Sequence, residues 1–99
     1  MNGYRLAPQA THDILAAYLE GHDRFGIRQA ENYQTELTRL FERLAMFPGS
    51  GRLREEVAPP IRVIPFGSHV VVYEESEEGV TILRVRHSLE DWFDNPAEV

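Results

Sequence analysis

The stretch IRQAENYQTELTRLFERL, residues 27–44, decides the architecture. Within it Ile27, Ala30, Tyr33, Leu37, Leu40, Phe41 and Leu44 recur at three- and four-residue spacing. That period lines them along one face of a helix as a continuous apolar stripe. The opposite face carries Arg28, Glu31, Glu36, Arg39, Glu42 and Arg43. Arg28–Glu31 and Glu36–Arg39 are three apart, so they can pair on the solvated side. Pro48-Gly49 ends the pattern. A helix with one such stripe must bury it against another layer, and the flanking sequence supplies candidates on both sides.

Upstream, Tyr4-Arg5-Leu6-Ala7 reads as a short strand. Pro8 then suits a helix's first turn, where its missing N–H costs nothing. Ala10, Ile14, Ala17 and Tyr18 follow at helical spacing, predicting a first helix over 8–20 that ends at Gly21. The short link predicts an antiparallel helix hairpin. Downstream, residues 48–60 lose all periodicity and read as loop. Three strands follow: Ile61–Phe66, then His69–Glu74 after a Gly67-Ser68 turn, then Val80–His87 after an acidic turn. The expected fold is therefore α+β, in the order β-α-α-β-β-β, with the helix hairpin packed on one face of a mainly antiparallel sheet. Leu37, Leu40, Phe41 and Leu44 are expected to bury against Val71, Leu83 or Val85. Strict alternation puts Val80, Ile82, Arg84 and Arg86 on one side of the last strand and Thr81, Leu83, Val85 and His87 on the other. Apolar residues on both sides predict some cover on the second sheet face too. Residues 1–99 make one domain, with 88–99 as an acidic C-terminal tail.

Charge narrows the function. Residues 1–73 hold eight acids and eight bases, whereas residues 74–99 hold eight acids against Arg84 and Arg86, so the net charge of −6 sits entirely in the last quarter. Binders of nucleic acid draw affinity from phosphate contacts and carry a basic excess, so direct nucleic-acid binding is not expected. Every base is arginine, which excludes lysine Schiff-base chemistry and a Walker-type phosphate loop. No cysteine is present, and His12, His22, His69 and His87 lack metal-ligand spacing. Neither a metal nor another cofactor is expected. No serine lies in a nucleophile elbow. No apolar run approaches the roughly 18 residues of a membrane span, and the first residues lack a secretory profile, so a cytoplasmic location is expected.

Several residues in order carry a family resemblance. Tyr4-Arg5-Leu6 with Ala10 and Asp13-Ile14, then Leu37, Leu40, Leu44, Phe47-Pro48 and Gly51-Arg52, then Arg54-Glu55, Arg62, Gly67, Val70 and Tyr73, and finally Ile82, Arg84-Val85 and His87, span residues 4–91. Together they resemble the ParE/RelE superfamily of toxins from type II toxin–antitoxin systems. Many relatives follow the histidine with two arginines and an acid. Here Ser88-Leu89-Glu90-Asp91 keeps the acid without the arginines, and no tyrosine follows Tyr73. That departure is nearer ParE than RelE. The resemblance implies a ParD-like antitoxin partner, a hetero-oligomeric complex and inhibition of DNA gyrase. The alternatives are a RelE-like ribosome-dependent mRNA endonuclease and a non-toxic relative that retains antitoxin binding alone.

Arg62, Arg84 and Arg86 are expected to converge on the open sheet face and, with Tyr73, to contact the antitoxin, arginine suiting a partner's carboxylate through bidentate bonds. The competing reading is that they are ordinary solvated strand residues. His87, Trp92 and Phe93 are the expected target-binding residues. His87 has the chemistry of a general base, but a histidine hydrogen-bonded within the fold is the plainer reading. Trp92 and Phe93 stand in a polar segment and either fold back on the core or contact a partner. No residue is assigned a catalytic role.

Overall fold

The computed structural model describes residues 3–88. The chain runs β1 (Gly3–Leu6), α1 (Pro8–Phe25), α2 (Ile27–Met46), a 3-10 turn (Pro48–Ser50), β2 (Arg52–Arg54), β3 (Ile61–Phe66), β4 (His69–Ser76) and β5 (Gly79–His87). The strands form one sheet in the order β1-β5-β4-β3-β2. β1 runs parallel to β5 and every other pair is antiparallel. The two helices pack against each other and onto the sheet, so the expected α+β layering holds. Among the described residues no helix is long and apolar enough to cross a membrane.

The stripe of α2 is the centre of the core. Ala30, Leu37, Leu40, Phe41 and Leu44 are buried on it, while Ile27 stands exposed at the hairpin tip. Those leucines and Phe41 share a cluster with Ala10, Val71, Tyr73, Val80, Ile82 and Val85. Tyr4 closes it from β1, its ring centroid 5.5 Å from that of Phe41.

Three boundaries differ from the sequence reading. α1 continues through Gly21 to Phe25. Gly21 is a contact residue, since a Cβ there would meet the Ala30 Cβ at 3.7 Å, and the small pair lets the helices approach. Arg24 and Glu20, one turn apart, also pair at 3.1 Å and carry the helix onward. The real break is Gly26, at φ 92°, a backbone conformation that favours glycine. Second, the expected loop contains β2, which pairs with β3 at the sheet edge. Three residues are too short to show a period, and arginines at both ends suit an edge that must not recruit another strand. Third, β4 and β5 extend to Ser76 and Gly79, tightening the acidic turn.

Strict alternation also fails along β5. The register steps from Val72↔Arg84 to Tyr73↔Ile82, so Leu83 has no opposite number. This bulge lets Val80, Ile82 and Val85 all enter the core and leaves Leu83 half-buried outside the buried cluster. On β4, Val72 is as fully buried as its neighbours Val71 and Tyr73, so the second sheet face is also shielded there.

Candidate functional site

A cleft of about 300 Å³ opens where the tip of the helix hairpin overhangs the β3–β4 turn. α1 supplies Ala17, Glu20, Gly21, Arg24 and Phe25, α2 supplies Gln29, Ala30 and Tyr33, and the sheet supplies Ser68, His69 and His87. The small residues exist for helix approach, and their lack of side chain creates the space. Phe25 is 60% exposed at the mouth.

Tyr33 joins the two layers. Its hydroxyl donates to the Phe66 carbonyl at 3.0 Å and lies 2.7 Å from His69 Nδ1. One hydroxyl proton cannot serve two acceptors, and the carbonyl can only accept. The direction of the Tyr33–His69 bond follows the imidazole tautomer, the Nδ1–H form donating to the hydroxyl. The Tyr33 ring meets Phe66 edge-on at 4.9 Å. Gly67 makes this fit possible: it sits at φ 55°, and a Cβ there would fall 2.7 Å from the Tyr33 hydroxyl. His69 and His87 are register partners whose rings meet edge-to-face at 5.4 Å. The Ser88 amide donates to the Ser68 carbonyl at 2.8 Å, pinning the end of β5 to the cleft rim.

Next to the cleft lies an ion pair between α1 and β5. Arg84 grips Asp13 with both prongs, Nε to Oδ2 at 2.7 Å and Nη2 to Oδ1 at 3.1 Å. The same Oδ2 accepts the Val85 amide at 2.9 Å. The cause is topological. β1 covers β5 only from Gly79 to Ile82, so the Val85 N–H has no strand neighbour on that side. An N–H in that position needs an acceptor, and α1 provides the carboxylate.

A third polar contact fixes the turn after α2. The Tyr73 hydroxyl donates to the Pro48 carbonyl and accepts the Gly51 amide, both at 2.7 Å. Burial raises the Tyr73 pKa above its ordinary value, with the Gly51 N–H and Arg62 acting in the opposite direction. Arg62 completes the corner, donating to the Gly51 carbonyl at 2.9 Å and to Glu75 at 2.8 Å.

The three arginines thus do not converge. Arg62 stands opposite Tyr73 and Arg84 opposite Val72, adjacent residues of β4, so their stems leave opposite faces. Arg86, opposite Val70, shares the side of Arg84. Tyr73 is fully buried, its hydroxyl held by Pro48 and Gly51. His87 lies on the cleft, as its place beside Val85 suggests. Trp92 and Phe93 lie outside the described residues. The polar contacts of Tyr33, Asp13 and Gly51 are not foreseen from the sequence, because the partner of each is from 22 to 72 positions away. Among the described residues no group of three or more histidines and carboxylates gathers where a metal could bind.

A family model described as the ParE toxin of the type II toxin–antitoxin system parDE matches residues 4–92. A Mycobacterium tuberculosis protein named Toxin ParE1 is 35% identical over 89 residues, covering 89% of this chain and 91% of its own length. A Caulobacter vibrioides protein of the same name is 36% identical over 87 residues, covering 88% and 90%. Among solved structures, a chain from the chromosomal ParDE toxin–antitoxin system of P. aeruginosa aligns with a TM-score of 0.73 at 18% identity, over 88% of this chain and 96% of that one. At that identity the likeness is one of fold.

Proposed function

The chain belongs to the ParE toxin family of type II toxin–antitoxin systems, and from that premise we propose that a ParD-like antitoxin holds it silent and that it arrests growth by inhibiting DNA gyrase. The family match over residues 4–92 carries this reading. The charge distribution supports a protein target over RNA, since the net −6 opposes phosphate contact along the last quarter of the chain.

In this reading the antitoxin lies on the sheet face of Val70 and Arg86, which are half-buried and leave apolar and cationic surface together. Arg86 makes the contact. Arg62, Tyr73 and Arg84 position the loop and strand around it through the bonds described above. The complex is a hetero-oligomer, and the gyrase-facing surface comprises His87 with Trp92 and Phe93.

Induced expression with DNA supercoiling and translation followed together tests the target. Loss of gyrase-dependent supercoiling before translation falls is the expected outcome. Codon-specific cleavage of mRNA on ribosomes with supercoiling intact refutes the gyrase assignment and promotes the endonuclease reading. Growth unaffected by soluble, folded protein that still binds antitoxin identifies a non-toxic relative. For the antitoxin face, Arg86→Ala is expected to weaken the complex at least tenfold, about 1.4 kcal/mol. An unchanged dissociation constant removes Arg86 from the interface.

A further inference from the structure

We propose that the tip of the helix hairpin docks onto an acidic segment of the target protein, with Phe25 as the apolar anchor and Arg28 as the clamp on a carboxylate. The inference rests on the reading that this chain acts on a protein target. It extends the target-facing surface from His87 to the hairpin tip, since Phe25 and His87 line the same cleft.

The tip is built around one residue. α1 ends at Phe25 and α2 begins at Ile27, with Gly26 alone between them. The Gly26 N–H donates to the His22 carbonyl at 3.0 Å, and its carbonyl accepts the Ala30 N–H at 3.1 Å, so both helices close on the same glycine. The side chains on either side of it are held by rigid elements, and they are large, apolar and in water. Phe25 is 60% exposed and Ile27 is 55% exposed. Arg24 offers no charge to a partner, because it pairs with Glu20 at 3.1 Å. Its guanidinium lies 5.7 Å from the Phe25 ring centroid and restrains the ring. An aromatic restrained in this way loses little freedom on docking.

Charge identifies the partner. Phe25 and Gln29 line both the cleft and a shallow depression whose other walls are Arg28 and Asn32. No acid lines that depression, and none stands in the first turn of α2. The helix surfaces form the pairs Arg24–Glu20 and Arg39–Glu36, but the Arg28–Glu31 pair that the spacing allows is not formed, and among the described residues Arg28 has no ion-pair partner. An exposed, uncompensated guanidinium beside an exposed ring fits a carboxylate that neighbours a bulky apolar residue. The guanidinium takes the carboxylate through two N–H bonds, and the ring covers the apolar neighbour. Aromatic and arginine side chains are the types on which interface energy concentrates. A nucleic-acid phosphate would suit Arg28 alone, but it leaves Phe25 and Ile27 unexplained and is opposed by the net charge of −6.

Phe25→Ser and Arg28→Glu in the full-length chain test this, read by inhibition of purified gyrase, growth arrest on induction, affinity for the ParD-like antitoxin, and thermal unfolding. Both variants are expected to keep the wild-type melting temperature and antitoxin affinity, to lose at least tenfold in gyrase inhibition, and to stop arresting growth. Arg28→Lys should retain part of the inhibition. Ile27→Ser, also at an exposed position, replaces either variant that melts lower. Full inhibition by both variants overturns the proposal and leaves the gyrase reading standing. Loss confined to Phe25→Ser overturns the acidic partner. Antitoxin affinity lost while inhibition is kept also overturns the proposal, since the tip is then an antitoxin surface. A wild-type chain that arrests growth with supercoiling intact refutes gyrase as the target, and growth arrest then decides: its loss in both variants supports the tip as the contact with another protein, and its retention overturns that role. A wild-type chain with neither effect overturns both readings.

Discussion

Replacing Asp13 with alanine removes the acceptor of three hydrogen bonds at once. Two come from the Arg84 guanidinium and one from the Val85 amide. The Asp13 and Arg84 side chains are each 17% exposed, so the pair falls between the two regimes for ion pairs. Exposed pairs contribute about 0–1 kcal/mol. Removing one partner of a fully buried pair costs about 3–5 kcal/mol, because a charge is left without compensation. Residual exposure lets water reach Arg84, but the Val85 N–H at the strand edge also loses its acceptor. An expected loss of about 2–3 kcal/mol follows. In a domain of this size each kcal/mol moves the melting temperature by roughly 4–8 °C, so thermal unfolding should fall by roughly 8–24 °C. Urea titrations of Asp13→Ala, Arg84→Ala and the double variant complete the measurement. The two singles should be strongly non-additive, with a coupling of about 1 kcal/mol or more. A stability change for Asp13→Ala within about 0.5 kcal/mol of wild type, the range of ordinary surface substitutions, refutes the reasoning, as does an additive cycle.

Leu40→Ala empties a position that is 2% exposed at the centre of the α2 stripe, and urea unfolding should show a loss of about 2–5 kcal/mol. Gly51→Ala drives a Cβ to 2.6 Å from the Tyr73 hydroxyl and 2.9 Å from the Val63 carbonyl, so it should destabilise more than Gly49→Ala, where a Cβ meets open space. The same urea series decides it. Tyr73 is raised above its ordinary pKa of 10.0 by burial. Its neutral form therefore stabilises the fold fully below the unfolded-state pKa, and that contribution disappears as pH rises through the folded-state value. Stability measured from pH 8 to 12 should fall at the alkaline end, and Tyr73→Phe should flatten that limb while lowering stability at pH 8.

The readable parts of this fold are periodic and the unreadable parts are pairings. Leu37, Leu40, Phe41 and Leu44 announce a helix face because each choice depends on neighbours three and four residues away, and all four are buried as read. β3, β4 and β5 were legible for the same reason, since β-branched residues fill them and turn residues bound them. β2 was not, because three residues contain no period. Gly21 was misread because a glycine on a helix has two meanings, stop or close approach, and only the facing Ala30 decides between them. At the candidate site His87 lines the cleft. Arg84 is expected on the open sheet face, and nothing local says that Asp13, 71 positions earlier, will pair with it there.

One mismatch of lengths connects these separate features. β1 has four residues and β5 has nine, so β1 satisfies the outer edge of β5 only as far as Ile82. Just beyond that point the bulge at Leu83 resets the faces of β5 and sends Val85 inward. The next edge donor, the Val85 N–H, would be left without a partner, and α1 meets it with Asp13, which then orders Arg84 as well. Further along α1, its last turns line the cleft above the β3–β4 turn together with His87. A β1 extended by two or three residues would pair with the Val85 amide directly and make the Asp13 carboxylate redundant. The short first strand thus leaves the edge at which Asp13 meets Val85 and Arg84, and residues that no local pattern links are brought together there.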